Sequence, residues 1–407
     1  MEDNPLAGAM SRPLAGIRVL DIGHYVAGPW CSRLLASLGA EVIKLEPPSG
    51  DPLRSQQPTI ARWDGVATNP TFIYVNGGKL GVTLNLKAPK GKALFLRLVA
   101  SADIVVENFS PRALPALDLS YDVIRRANPR CSLISISNFG QHGPDRDRPA
   151  TELILYAASG LMSISGVQGR EPLKHGLFTQ AQLAAGTMGA FAATTAIASR
   201  RGAGAGDWAD VSIAEVLSSE LVAGISYYTY SGAVQGRQRA ARVNIDGRVG
   251  LIQAADGAVH PSLGTADGKE AWENLANMLQ EPSLIREEFF THSDRLVRAE
   301  ELAALMEKAV ARKKKQELFH EANAWRLPWG VSQELSELLN CPQLNSRNFF
   351  SETKDGPIAG LPYKSSLEVA EAPPLAPSPG QDSERVYQRL LGITKTELTT
   401  LRSEGII

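Results

Sequence analysis

The run from Glu171 to Gly186 has the make-up of a reaction site but offers no evident nucleophile. A polar, loop-like stretch, Glu171-Pro-Leu-Lys-His-Gly-Leu-Phe-Thr-Gln-Ala-Gln182, leads into Leu183-Ala-Ala-Gly-Thr-Met-Gly-Ala-Phe-Ala-Ala-Thr-Thr-Ala-Ile-Ala198. The second stretch reads as a helix of small residues. Gly and Ala leave little side chain in the way, so its backbone can pack very close to a neighbour. The N-terminus of a helix carries partial positive charge and suits an anion. The residue placed there is Gln182, a neutral amide.

Other chemistries lack their residues. No CxxC, HExxH or clustered His/Cys spacing is present, which argues against a protein-bound metal. The six histidines are scattered, and each reads as a partly buried or surface residue. No GxGxxG or Walker loop supports a site for NAD or ATP. A net charge of −1 points to no nucleic-acid or membrane-surface partner, and no apolar run is long enough to span a bilayer. Three cysteines, Cys31, Cys131 and Cys341, are far apart and odd in number. With no signal-peptide order in Met1 to Arg12, they indicate a reducing, cytoplasmic compartment without disulfides. Lys313-Lys-Lys315 reads as a solvated helix face.

Elements must position these residues. The 407 residues are too many for one simple core, so two domains are expected, and the composition, 43% hydrophobic and 21% charged, is that of a globular chain. Ile17 to Ile22 reads as a buried strand, Trp30 to Leu38 as a helix and Gly39 to Glu46 as a second strand. Helix 91–100 with strand 102–107, and helix 121–128 with strand 131–137, continue the alternation. Asp207 onward adds a further strand running into a helix. Alternation of this kind implies a doubly wound parallel sheet, with ligands beyond the carboxyl ends of its strands. Three loops stand there: His24 to Pro29, Asn108 to Arg112 and Asn138 to Pro144. Each also reads as a tight turn needing Gly or Pro.

The character changes after Gly232. Residues 235–248 read as a crossover, Leu251 to Val259 as a hairpin arm turning at Asp256-Gly257, and 269–279 and 296–323 as amphipathic helices. The domains expected are 1–231, a small mixed α/β domain at 232–339, and a return segment at 340–407 that completes the first. Residues 371–381, rich in Pro and Ala, read as a linker or strap.

The order and spacing of several short motifs resemble the family III CoA-transferases, the group with formyl-CoA transferase, carnitine CoA-transferase and the α-methylacyl-CoA racemases. The carriers are Pro13-Leu-Ala-Gly-Ile-Arg-Val-Leu-Asp21, Ala27-Gly-Pro29, Leu38-Gly-Ala-Glu-Val-Ile-Lys-Leu-Glu46, Asn76-Gly-Gly-Lys79 and Leu84-Asn-Leu-Lys87. Ala102-Asp-Ile-Val-Val-Glu-Asn-Phe109, Asn128-Pro-Arg130, Phe139-Gly-Gln-His-Gly-Pro144, Asp210-Val-Ser212 and Cys341-Pro-Gln-Leu344 complete them. The resemblance implies a Rossmann-like large domain, an inserted small domain and two chains threaded as interlocked rings.

It also implies acyl transfer between CoA thioesters and free acids, with coenzyme A or acyl-CoA as substrate and no cofactor bound covalently. An aspartate attacks the thioester carbonyl and becomes the acyl carrier. The family's Asp-x-x-x-Gly falls on Gln182-Leu-Ala-Ala-Gly186, so an amide, uncharged and with its lone pair delocalised, stands in the nucleophile's place. Glu152 falls on a retained active-site carboxylate; it reads equally as an acidic residue stabilised at a helix start. A racemase would need His and Asp where Thr151 and Gln182 stand, and neither titrates usefully.

The family's CoA contacts fall on Val26, Ala27, Val75, Asn76, Gly77, Gly78, Asn108, Phe109 and Ser110. Basic family positions fall on Pro47 and Ala116, which weakens pyrophosphate binding. The leading expectation is therefore a non-catalytic subunit, of the benzylsuccinate CoA-transferase kind, in an interlocked heterodimer or heterotetramer with a homologous catalytic chain. An aromatic or dicarboxylic acid substrate goes with it. The alternatives are a homodimeric acyl-CoA-processing enzyme with altered chemistry and a homodimer that binds acyl-CoA without turnover.

Overall fold

A computed structural model describes residues 12–62, 64–173, 179–237, 250–261, 269–366 and 375–407. The elements that frame the site are, in chain order, β1 (Arg18–Asp21), α1 (Ala27–Ser37), β2 (Glu41–Glu46), α2 (Pro70–Asn76), β3 (Leu80–Thr83), α3 (Pro89–Val99) and β4 (Ile104–Glu107). They continue with α4 (Tyr121–Ala127), β5 (Ser132–Ser137), α5 (Glu152–Ala158), α6 (Gln180–Ala203) and β6 (Trp208–Ser212). The six strands form one parallel sheet in the order β3-β2-β1-β4-β5-β6. Val19 lies opposite both Val42 and Ile104 in parallel register, as the alternating pattern predicts. Helices cover such a sheet on both faces, so its strands are apolar on both sides: Val19, Leu20, Ile43, Val105 and Ile134 are all sealed from solvent.

The chain divides into two compact units, 1–161 with 174–230 and 345–407, and 162–173 with 231–344. In the first, the C-terminal segment joins the sheet's own core. Tyr387, Ile393 and Leu398 pack with Val82, Phe95 and Leu98. The Tyr387 hydroxyl donates to the Thr83 carbonyl at 2.7 Å, and the Gly81 N–H donates to Asp382 at 2.9 Å. In the second, the hairpin Ile252–Ala254 with Gly257–His260 turns where Asp256-Gly257 predicts. The helices Lys269–Leu279, Ala299–Val310 and Lys315–Ala324 bury Trp272, Leu275, Leu302, Met306 and Leu318 around it.

Several local expectations are corrected. Helix α1 begins at Ala27, inside the segment read as a loop, because a proline at its third position is compatible with a first turn whose N–H groups have no intrahelical partner. Helix α2 and strand β3 were not expected. Both are short, seven and four residues, and β3 is stabilised by β2 and by the C-terminal segment rather than by a local pattern. Lys313-Lys-Lys315 is not a solvated face. Lys315 is 4% exposed, and its ammonium reaches Glu337 at 2.7 Å, while Lys313 pairs with Glu321. Of the crossover at 235–248, residues 238–248 lie outside the described residues, as do 371–374 of the strap and 174–178 of the polar run. Among the described residues no helix is long and apolar enough to cross a membrane.

Candidate active site

The site is built on the first turn of α6. The helix starts at Gln180, three residues earlier than the small-residue run predicts, so Gln182 is its third residue and sits half-buried. The close packing expected of this helix is present. A Cβ on Gly186 would lie 2.5 Å from the Ala27 carbonyl oxygen and 2.9 Å from Trp30, and one on Gly189 would lie 2.7 Å from Ile136. Trp30 also donates through Nε1 to Thr187 at 3.0 Å. Helix α6 therefore lies against α1, with its start at the carboxyl edge of the sheet.

Glu152 opens α5, and its carboxylate accepts the Ala181 backbone N–H at 2.5 Å. An amide N–H in the first turn of a helix lacks an intrahelical acceptor, and a carboxylate supplies one with charge assistance. Glu152 is thus the acidic residue at a helix start that one sequence reading expects, and it also caps the helix that carries Gln182.

Gln182 and Glu152 line one cleft of about 910 Å³ together with Asn108, Phe109 and Ser110. The other expected CoA contacts are placed elsewhere. Val26 and Val75 pack with Leu53 and Phe72. Ala27 is buried, its carbonyl facing Gly186. Asn76 is sealed, donating to the Phe72 carbonyl at 3.1 Å and accepting from Lys79 at 2.8 Å. Gly77 is buried and Gly78 half-buried, and neither lines the cleft.

These residues belong to a frame beneath the site. The Lys79 ammonium donates to Asp21 at 2.8 Å, to the Pro29 carbonyl at 2.7 Å and to Asn76. Lys44 donates to the Gly23 carbonyl and to Asp51, the latter at 3.0 Å. All four charged side chains are fully buried, so each is tolerable only because it is paired. Burial alone would raise the Asp21 carboxyl, but Lys44 and Lys79 hold it below the usual carboxylate range. Burial brings Lys79 down to about 8 and, with Lys44 nearby, lowers His24. This network pins the segment 23–29 from below. Asn108 pins it from the side, donating to the His24 carbonyl and accepting the His24 N–H, both at 2.8 Å.

Three contributors escaped sequence reasoning. Tyr25 lines the cleft in the left-handed region, at φ 60°, a strained conformation for a bulky aromatic residue. The loop His24 to Pro29 is expected at this edge, but nothing in it singles out Tyr25. Arg146 and Arg148 also line the cleft. The alternating string Asp145-Arg-Asp-Arg148 just before Glu152 was the available sign. Arg112 and Arg146 both pair with Asp147, at 2.7 and 3.3 Å, and Arg148 lies 3.7 Å from Asp145. The cleft thus has cations at its rim, although Pro47 and Ala116 occupy the positions where the resemblance led one to look.

A cleft at the carboxyl edge of a parallel sheet, with a capped helix start within it and cations beside it, defines a doubly wound α/β protein with an anion-compatible ligand site. No group of His, Cys, Asp and Glu suited to a metal occurs among the described residues. The chain belongs to CoA-transferase family III, whose model matches residues 14–383. CoA thioesters are the substrates of that family. Similar proteins include the succinyl-CoA–D-citramalate CoA-transferase of Chloroflexus aurantiacus, 30% identical over 97% of this chain and 98% of that protein. The alpha subunit of the succinyl-CoA–L-malate CoA-transferase of the same species is 28% identical, over 99% of this chain and 94% of that subunit. The beta subunit is also 28% identical, over 97% and 98%. A crystal structure of a CAIB/BAIF family protein from Brucella suis superposes with a TM-score of 0.85 at 27% identity, covering 93% of this chain and 99% of that one.

Proposed function

We propose that this chain is the non-catalytic subunit of a heteromeric family III CoA-transferase, paired with a homologous chain that supplies the nucleophilic aspartate. The observation that carries the reading is the side chain in the first turn of α6: an amide, Gln182, faces the cleft that Glu152 shares. Acyl transfer through an enzyme anhydride needs an anionic oxygen that can become an acyl carrier, and an amide supplies neither the charge nor the leaving-group chemistry. Two subunits of one relative, named alpha and beta, both align along nearly all of this chain, which supports an assembly of related chains. Exposed apolar residues on the helix Val222–Ser231, among them Val222, Tyr228 and Tyr230, support a covered face in that assembly.

The acid is a dicarboxylate or an aromatic carboxylate, moved against an acyl-CoA donor. The arginines beside the cleft suit a second carboxylate, and the relatives named for malate and citramalate act on such acids. Asn108, Phe109 and Ser110 contact the CoA chain.

The test is intact-protein mass after incubation with succinyl-CoA and trapping with hydroxylamine or borohydride. The expected result is an unmodified chain alone and, on co-expression with a neighbouring paralogue, an adduct on the partner only. An adduct on this chain at Glu152 would favour the second reading, a homodimeric acyl-CoA-processing enzyme in which that carboxylate replaces the aspartate. Tight acyl-CoA binding with neither adduct nor partner would favour a binding protein.

A further inference from the structure

Of residues 23–29, Tyr25 alone lines the cleft, where it shares the walls with Gln182, Glu152 and Phe109. We propose that Tyr25 is a specificity residue of this site: its phenolic O–H donates to a carboxylate at the far end of the acyl group, so that the cleft prefers a dicarboxylic acyl group to an apolar one. This rests on the function proposed above and adds the residue that reads the acid.

The backbone carries the argument. At φ 60° a tyrosine is strained, whereas a glycine would adopt that conformation freely. Such strain persists where the surroundings over-determine it, and it gathers at ligand clamps. Here the surroundings fasten each residue of the turn. The Gly23 N–H donates to Asp21 at 3.0 Å, and the Gly23 carbonyl accepts from Lys44. Asn108 holds both backbone polar groups of His24. The Tyr25 N–H donates to Asp51 at 3.3 Å. Asp51 is itself fixed, accepting from the Leu53 N–H at 2.9 Å and from Lys44 at 3.0 Å. The His24 ring is taken up by Phe109, edge-on at 5.0 Å, and the side chain that the turn presents to the cleft is that of Tyr25.

Helix α6 sets its place. Two residues on, the Ala27 carbonyl meets Gly186, and Gly186 stands one helical turn from Gln182 on the same face. Tyr25 therefore stands close to the turn on which the proposed reaction centres. The donors there are neutral, the Tyr25 phenol and the Gln182 amide, and a helix start favours negative charge. Tyr25 is 41% exposed, and among the described residues its hydroxyl has no partner. Arg146 and Arg148 supply charge at the rim, shared with Asp147 and Asp145, and Tyr25 adds a directed donor. A free carboxylate suits such a donor; a methyl end would leave the phenol without an acceptor.

Calorimetric titration of the full chain with CoA, glutaryl-CoA and valeryl-CoA tests this, in the wild type, Tyr25→Phe and Tyr25→Gly. The two thioesters have acyl chains of equal length and differ at the end that Tyr25 reads. The wild type is expected to bind glutaryl-CoA more tightly than valeryl-CoA. Tyr25→Phe, which keeps the ring, is expected to weaken glutaryl-CoA by about tenfold and to leave valeryl-CoA and CoA unchanged. Tyr25→Gly, which keeps the turn without strain, is expected to lose the same preference. A purely structural role would move all three ligands together. An equal preference in the wild type and Tyr25→Phe overturns the proposal and, with CoA bound, leaves the CoA-transferase reading standing. Weakening by Tyr25→Gly alone assigns the contact to the ring and overturns the hydroxyl's part. Free glutarate separates the two readings from the other side: glutarate binding that Tyr25→Phe weakens, in a chain that binds no CoA, keeps the assignment of Tyr25 and sinks the CoA-transferase reading. No binding of either thioester or of glutarate overturns both.

Discussion

The Glu152 carboxylate accepts the Ala181 backbone N–H at 2.5 Å, one residue before Gln182. The Glu152 carboxylate therefore holds the helix start that presents Gln182 to the cleft. Its negative charge lies where the helix dipole favours it, and it orients the turn that presents residue 182.

Removing that support should be measurable. Glu152→Ala leaves the Ala181 N–H without its acceptor and is expected to cost about 1–2 kcal/mol, the size of a lost helix cap. Urea unfolding of the isolated chain reads this, and Glu152→Gln, which keeps an acceptor oxygen, should recover part of it. Equal stability of Glu152→Ala and wild type would remove Glu152 from this role.

Gln182→Asp restores a carboxylate to the first turn of α6, where the dipole keeps it ionised. A weak covalent adduct with succinyl-CoA is the expected gain, detected as a mass shift on the peptide containing residue 182. Full transfer activity is not expected, because productive reaction also needs the thioester held in reach of the new carboxylate. An unmodified variant would show that the cleft does not bring a thioester to this turn.

Gly186 packs directly against the Ala27 backbone at the start of α1. Gly186→Val places a Cβ 2.5 Å from a backbone carbonyl oxygen, which cannot move aside as a side-chain tip could. The expected loss is about 1–3 kcal/mol or more in chemical denaturation. Since α6 carries Gln182, the same substitution in a catalytically competent complex should lower activity further than stability alone explains.

Glu107 gives the protein a specific pH dependence. Burial raises its carboxyl from 4.5 to about 7, so the folded chain keeps a proton that the unfolded chain releases between those values. Its contribution to stability is fully present below about pH 4.5 and is lost as the pH rises through about 7. Glu107→Gln should abolish that decline and stabilise the protein above pH 7 by on the order of 2–3 kcal/mol. Thermal midpoints of both proteins from pH 4 to 9 check it; parallel profiles would argue against a protonated Glu107.

The parallel sheet was legible because its strands announce themselves: Val19, Val42, Val105 and Leu133 lie in short apolar runs separated by helical stretches. The hairpin at Asp256-Gly257 and the helix Lys269–Leu279 were legible from turn chemistry and from period. Strand β3 was not, since Leu80-Gly-Val-Thr83 has little pattern and is stabilised by partners more than thirty residues away on one side and about three hundred on the other.

The sequence by itself determined the absence of an acidic side chain at residue 182, the glycines that let α6 approach α1, and the alternation that makes a doubly wound sheet. These are properties of residue type and local spacing, readable without coordinates. Only the tertiary structure decided that Val26, Val75 and Asn76 are buried and do not line the cleft that Gln182 shares, that Arg146 and Arg148 stand beside it, and that Glu152 and Ala181 meet across twenty-nine positions of chain. Burial and hydrogen-bond partners at long range depend on how helices pack over the sheet, and no local pattern carries that information.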